Sequence, residues 1–147
     1  MRIALGRDHR GIKIKQAIMG FLPKLNHSCQ DFGCYSADPV DYPDIAEKVG
    51  EAVASGEFDQ GILICSTGIG MSIAANKIKG VRAALCHDSF AAQRARQHND
   101  ANILCLRGEN IDVASALEIV GTYLSTDFEG GRHTQRLDKI KALERSS

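Results

Sequence analysis

The chain has little of several features that mark specialised classes of protein. It contains no tryptophan and only 3 prolines, and aromatic residues make up 5% of its 147 residues. Lys plus Arg and Asp plus Glu both number 18, so the formal net charge at pH 7 is zero. Without an excess of positive charge, the whole molecule has no general attraction to nucleic acid or to an anionic membrane. We therefore expect neither a nucleic-acid partner nor a membrane.

Long apolar runs are also missing. No stretch of the sequence approaches the roughly 18 apolar residues that a membrane-spanning helix needs. The first residues, MRIALGRDHRG, place charges directly after a short apolar stretch, which is not the pattern of a secretion signal. A hydrophobic content of 44% with 24% charged residues is ordinary for a folded globular chain. These features predict a cytoplasmic protein that folds as one domain over residues 1–147.

The cysteines form no C-x-x-C pair. They are Cys29, Cys34, Cys65, Cys86 and Cys105. An odd number at irregular spacing, in a chain without a secretion signal, indicates free thiols. Cys86 and Cys105 lie inside apolar runs and are typical of small buried hydrophobic residues. Cys65 differs because it ends an apolar run and opens a turn of small residues.

Short apolar runs alternate along the chain with amphipathic stretches. The expected strands are Arg2–Gly6, Ser28–Gly33, Gly61–Cys65, Arg82–Cys86 and Ile103–Leu106. The expected helices are Ile12–Leu22, Asp44–Ser55, Met71–Ile78, Ser89–His98 and Val113–Leu124, and a polar helix His133–Arg145 after a linker at Asp127–Gly131. This alternation predicts a parallel sheet covered by helices on both faces. We expect a three-layer α/β fold, Rossmann-like or flavodoxin-like, with five strands in the common order 2-1-3-4-5.

That order brings the carboxyl ends of the first and third strands together, where ligands bind in such sheets. Asp8 and His9 follow the first strand, and the run CSTGIG from Cys65 to Gly70 follows the third. The N–H groups of such a turn and of the helix after it can bind an oxyanion and lower the pKa of a nearby thiol. The residues alone leave a second interpretation open, namely a plain turn with a buried thiol beside a solvated charged loop.

Several other chemistries do not fit the spacing. A cysteine-dependent phosphatase loop needs an arginine six residues after the cysteine, where this chain has Met71. The Gly-Lys-Ser/Thr end of a P-loop and the G-x-G-x-x-G of a dinucleotide site are absent from these loops. Asp8, His9, His87 and Asp88 show no spacing typical of metal ligands, so no metal is expected.

Six collinear motifs extend over nearly the whole chain. They are Asp8-His9, Asp41–Asp44 (DYPD), Cys65–Lys77 (CSTGIGMSIAANK), Arg82–Leu85 (RAAL), His98–Asn102 (HNDAN) and Phe128–His133 (FEGGRH). Together they resemble the type B ribose-5-phosphate isomerases, whose wider family includes galactose-6-phosphate isomerase subunits and allose-6-phosphate isomerases. The resemblance implies a dimer-based enzyme without a cofactor. It also implies the interconversion of ribose 5-phosphate and ribulose 5-phosphate through a cis-enediol.

The same resemblance implies roles for individual residues. Cys65 matches the base that moves a proton between C2 and C1, and His98 matches the acid/base that opens the sugar ring. The enediolate oxygen is expected to be stabilised by Thr67 and by backbone N–H groups, which belong to Ser66, Gly68, Ile69 and Gly70. The other matched positions are Asp8 near the ring oxygen, Asn99 at sugar hydroxyls, and His9, Arg132 and Arg136 at the phosphate. A general base with an oxyanion hole is sufficient for enolisation without a metal.

The chain departs from the family pattern near the expected phosphate position. The family commonly has small residues where this chain has Arg7 and Arg10, and glycine where it has Ser66. Its Leu-Gly-x-Arg after the fifth strand reads Leu-Arg-Gly-Glu here, so the carboxylate of Glu109 replaces a cation. Three hypotheses follow: Arg7 or Arg10 supplies the missing charge, Arg107 swings across to supply it, or the substrate differs.

Other functions and assemblies also stay open. The alternatives are an isomerase of the allose 6-phosphate or galactose 6-phosphate type, a sugar-phosphate-binding subunit that needs a paralogue, and a flavodoxin-like nucleotide-binding module. In a parallel sheet, Cys65 lies at a carboxyl end, whereas His98 ends a helix that runs back toward the opposite end. The two are more than about 15 Å apart on that arrangement. We therefore predict a homodimer, or a tetramer built from it, in which two subunits share each active site.

Overall fold

Strands and helices alternate along the structure, a computed structural model that describes residues 1–33 and 40–145. Cys34 lies outside the described residues. The strands are β1 Arg2–Arg7, β2 Ser28–Asp31, β3 Gln60–Cys65, β4 Ala83–Leu85 and β5 Ile103–Arg107. The helices are α1 Ile12–Phe21, α2 Tyr42–Ala54, α3 Ile69–Ala75, α4 Ser89–Asn99, α5 Val113–Ser125 and α6 Arg132–Arg145, with a short 3-10 helix at Leu22–Leu25.

The strands form one parallel sheet in the order β2-β1-β3-β5-β4. The predicted α/β class with a parallel five-stranded sheet is confirmed, but the expected order 2-1-3-4-5 is wrong at its last two positions. β4 has three half-buried residues, whereas the first four residues of β5 are buried. Because β5 is apolar on both faces, it takes the inner place beside β3 and leaves β4 at the edge.

Helices cover both faces of the sheet. Helices α2 and α3 pack together on one face, and α5 packs on α1 and α4 on the other. Along β3, Ile62 and Ile64 point into the α1, α4 and α5 side of the core, whereas Leu63 and Cys65 point into the α2 and α3 side. This alternation is the period of two that a strand imposes on its side chains. It directs the Cys65 side chain toward α3.

Two helices begin at the carboxyl end of the sheet with side-chain caps. The Asp88 carboxylate accepts a hydrogen bond from the Ala91 N–H at the start of α4, at 2.8 Å. The Asp112 carboxylate accepts one from the Ser115 N–H at the start of α5, at 2.7 Å. Such caps satisfy N–H groups that have no partner within the helix. None of the helices in the described residues is long and apolar enough to cross a membrane.

Candidate active site

The thiol of Cys65 lies at the carboxyl end of β3, next to the turn that starts α3. Cys65 is 5% exposed, and the Gly68 N–H donates to its Sγ at 3.2 Å. The Thr67 hydroxyl oxygen accepts a hydrogen bond from the Ile69 N–H at 3.1 Å. The helix begins two residues earlier than expected, at Ile69, so Ile69 and Gly70 belong to its first turn. The Gly68 N–H therefore points toward the thiol, whereas the Ile69 N–H is used within the turn.

Two glycines of this turn are closely packed, and one of them cannot be replaced without strain. Gly68 has φ +79°, and a Cβ there would lie 2.5 Å from Leu85 Cδ1 and 3.0 Å from the backbone carbonyl of Leu106. At Gly70, a Cβ would lie 2.5 Å from the ring of Tyr42, at the start of α2. The left-handed φ and the contact with the Leu106 backbone exclude a side chain at Gly68, whereas at Gly70 the exposed Tyr42 ring would have to move aside. Strands β4 and β5 and helix α2 thus fix the path of the Cys65 loop.

The loop after β1 lies beside the Cys65 loop. Asp8 is 6% exposed, its N–H donates to the Ile64 carbonyl at 3.0 Å, and its carboxylate accepts the Arg10 N–H at 2.8 Å. The Arg10 Nε donates to His9 Nε2 at 3.3 Å. The other ring nitrogen of His9 is buried and has no hydrogen-bond partner among the described residues. Asp8 and His9 are therefore brought to the Cys65 end of the sheet, as predicted.

The loop after β5 completes this end of the site. The Gly108 N–H donates to the Cys65 carbonyl at 2.7 Å, and the Glu109 N–H to the Ser66 carbonyl at 3.4 Å. The Glu109 carboxylate accepts one hydrogen bond from the Ser66 hydroxyl and another from the Arg10 guanidinium, each at 2.8 Å. These two hydrogen bonds hold the pKa of Glu109 below its usual value, and the bond from Ser66 has the larger effect. A network of hydrogen bonds thus joins the three loops.

A cleft of about 230 Å³ opens beside this network. Its lining residues are Ser66, Thr67, Ile69, His87, Arg107, Glu109 and Asn110. Asn110 lines the cleft but was not predicted from the sequence. It has a left-handed φ of +56° and belongs to no motif in the sequence. A larger cleft, about 510 Å³, lies near the opposite end of the sheet and includes Asn99 and Ile140. The smaller cleft is the candidate site because Ser66, Thr67 and Ile69 of the loop after Cys65 line it.

The other predicted residues gather around the end of α4. The imidazole rings of His98 and His133 are stacked, with centroids 4.3 Å apart and planes 16° apart. The Glu129 carboxylate lies 3.5 Å from His133 Nε2, and its backbone N–H donates to the Gln97 carbonyl at 3.1 Å. The pKa of His133 is lowered below 6.5, mainly by burial and then by the neighbouring His98 and Arg132. His133 is therefore expected to be neutral at pH 7.

His98, Glu129 and His133 also place three possible metal-ligand atoms within 4.8 Å of one another. A metal bound by two imidazoles lies near both ring planes, because the nitrogen lone pairs lie in those planes. The two rings are stacked and nearly parallel, so they share no such point. As arranged, this cluster does not fit a metal ion.

The predicted site residues therefore form two groups. Asp8, His9 and the residues from Cys65 to Gly70 lie at the carboxyl end of the sheet. His98 and Asn99 end α4, which runs back from that end, and Arg132 and Arg136 are exposed on α6, which packs on α4. Strands of five or six residues rise about 3.3 Å per residue, which separates the two groups by more than 15 Å. A single chain does not bring them together.

Comparison with known proteins agrees with this architecture. The ribose/galactose isomerase family model matches residues 3–140. A ribose-5-phosphate isomerase B from Clostridium thermocellum is 49% identical, with a TM-score of 0.97 over 99% of both chains. Ribose-5-phosphate isomerase B of Escherichia coli is 45% identical over 97% of this chain and 96% of its own. The D-erythrulose-4-phosphate isomerase of Pectobacterium atrosepticum is 41% identical over 98% and 95%.

The class of protein follows from the parallel α/β sheet, the ordered motifs and these matches. The chain belongs to the ribose/galactose isomerase family and is an aldose–ketose isomerase. The relatives are named as isomerases of different sugar phosphates, so the family itself does not define one substrate.

Proposed function

We propose that the protein interconverts ribose 5-phosphate and ribulose 5-phosphate through a cis-enediol, with Cys65 as the base. The observation that carries this proposal is the position of the thiol, whose sulfur accepts the Gly68 N–H at 3.2 Å. This contact fixes the sulfur at the start of the turn, and a cysteine removes a proton in its thiolate form.

The residues of the Cys65 loop supply the two requirements of enolisation. The thiolate removes the proton from C2 of the open-chain aldose, and the electron pair of that bond forms the C1–C2 double bond. The former carbonyl oxygen gains negative charge, which Thr67 and the N–H groups between Ser66 and Gly70 stabilise. A proton moves from O2 to O1, and the Cys65 thiol returns its proton to C1 to give the ketose. No cofactor takes part.

The second group of residues is proposed to come from another copy of the chain. His98 of that copy opens the sugar ring near Asp8, and its Asn99 binds hydroxyls. Its Arg132 and Arg136 bind the phosphate together with His9; both arginines are exposed on α6. The separation of the two groups supports this arrangement, because one sugar is too short to contact both within one chain. We propose a cytoplasmic homodimer, or a tetramer built from it.

A second candidate function is the isomerisation of a different sugar phosphate. The observation that favours it is Glu109, a carboxylate in the cleft that is hydrogen-bonded to Arg10. Assays of the purified chain on ribose 5-phosphate, allose 6-phosphate, galactose 6-phosphate and erythrulose 4-phosphate distinguish these substrates. Activity of the chain alone on any of them excludes a need for a paralogue.

The role of Cys65 is tested with Cys65→Ala. We expect kcat on ribose 5-phosphate to fall at least about a hundredfold, because the base acts in the transition state. Binding of the sugar phosphate should stay within about tenfold of the parent. Cys29→Ser is the matched control, since Cys29 lies half-buried on β2, the edge strand at the other side of β1. A Cys65→Ala variant that keeps more than a few per cent of kcat would exclude Cys65 as the base.

A further inference from the structure

The ion pair of Arg10 and Glu109 is the feature of the cleft that the proposed reaction does not use. We propose that Glu109 is a specificity-determining residue that weakens phosphate binding by occupying the Arg10 guanidinium. This proposal rests on the proposed function, because it concerns how the same site selects phosphorylated sugars.

Glu109 is held in place by several bonds at once. Its two carboxylate oxygens have different partners, Arg10 and Ser66, each at 2.8 Å. Its backbone N–H donates to the Ser66 carbonyl, and the preceding Gly108 N–H donates to the Cys65 carbonyl. The carboxylate is therefore attached, through backbone and side chain, to the loop that carries the proposed base.

Arg10 is held by neighbours in its own loop as well as by Glu109. Its backbone N–H donates to the Asp8 carboxylate and its Nε to His9. Its NH1 donates to Glu109. A guanidinium is well suited to a phosphate because its planar donors can bind two oxygens at once. In Arg10, two of the nitrogens that would face such an anion already have protein partners.

The charges around the cleft determine the direction of the effect. Arg107 and Glu109 line the cleft, and Arg10 is paired with Glu109 at 2.8 Å. Neutralising Glu109 removes one negative charge from the cleft and so favours the binding of an anion. Arg7, the other cation considered from the sequence, is 2% exposed and donates to the Asp8 carbonyl at 2.7 Å, so it lies beneath the loop. Arg10 is thus the cation that Glu109 controls.

The size of the effect is limited by solvent. The side chains of Arg10 and Glu109 are 57% and 40% exposed, so water and salt screen their charges. We therefore expect the release of Arg10 to tighten phosphate binding about three- to tenfold, less than a buried charge-assisted contact would give.

The test is calorimetric titration of inorganic phosphate into the intact protein. Glu109→Gln keeps the shape of the side chain, removes its charge and should tighten phosphate binding about three- to tenfold. Adding Arg10→Ala to it should abolish that gain, because the freed guanidinium is then missing. Glu51→Gln, an exposed carboxylate on α2, is the control and should leave phosphate binding unchanged.

A kinetic measurement separates this role from a purely structural one. Glu109→Gln should lower KM for ribose 5-phosphate, whereas Glu51→Gln should leave that KM unchanged. The proposal is overturned if phosphate affinity is unchanged in Glu109→Gln, or if the gain persists undiminished in the double variant. The phosphate titration needs no turnover, so a failure of the proposed isomerisation would be seen separately, in the Cys65 variants.

Discussion

Gly68 is constrained in two ways, by its backbone angle and by the space around it. Gly56 provides a matched comparison, because it has a similar φ of +82° but nothing within 4 Å of a Cβ. Gly56→Ala should therefore cost about 1 kcal/mol of unfolding free energy, the price of the left-handed conformation. Gly68→Ala should cost a further 1–3 kcal/mol or so, since the Leu106 carbonyl cannot move as a side chain can.

Urea denaturation of both variants measures this difference. Gly68→Ala should also lower kcat, because shifting the turn moves the Gly68 N–H away from the Cys65 sulfur. Equal losses of stability in the two variants would show that the contact with Leu106 relaxes at no cost.

The protonation of His133 should contribute to the pH dependence of the protein's stability. Its pKa is lowered by burial, then by His98, Arg132 and Arg136, and Glu129 opposes this only in part. In the unfolded chain its pKa returns to about 6.5. At pH values between the folded-state pKa and 6.5, the unfolded state binds more protons than the folded state. Stability is therefore lost as the pH falls below about 6.5. NMR titration of the His133 ring protons should give a midpoint below 6.5, and a midpoint at or above that value would contradict this account.

At the level of elements, the periodic pattern identified each strand of the sheet. The expected strand Gly61–Cys65 is observed as Gln60–Cys65, and the expected helix Val113–Leu124 as Val113–Ser125. Long, apolar or strongly amphipathic segments are specified locally, which is why they were predicted well. The strand order was not predicted correctly, because a right-handed crossover can place β5 on either side of β4. The continuous apolar run of β5 was the available indication that it lies inside the sheet.

The contacts that define the cleft could not be predicted in the same way. Arg10 and Glu109 are separated by 99 residues in sequence, and only the adjacent carboxyl ends of β1, β3 and β5 bring them together. Ser66 was noted as a departure from a glycine, but its hydrogen bond to Glu109 depends on the backbone pairing of two loops. Sequence motifs predicted a set of site residues, and the order of the strands determined which of them meet.

At the scale of the whole molecule, exposed apolar side chains lie on the helices beside both groups of site residues. Ile69 and Ile73 on α3 are 51% and 59% exposed, and Ile140 and Leu143 on α6 are 41% and 72% exposed. A subunit contact would remove these side chains from water. Helix α3 starts at the Cys65 loop and α6 carries the proposed phosphate-binding arginines, so an interface using both faces would join the two halves of a site.

The shared site is tested by complementation between two inactive variants, Cys65→Ala and His98→Ala. After the two are unfolded and refolded together, random pairing makes half of the dimers mixed. If the site is shared, each mixed dimer has one site with both lesions and one site with neither. Roughly a quarter of the wild-type sites should then return.

The control is Cys65→Ala mixed with Asp8→Ala, whose lesions lie at the same end of the sheet. Every site of that mixed dimer has one lesion, so activity should not return. If neither mixture recovers activity although mixed dimers are shown to be present, the site lies within one chain.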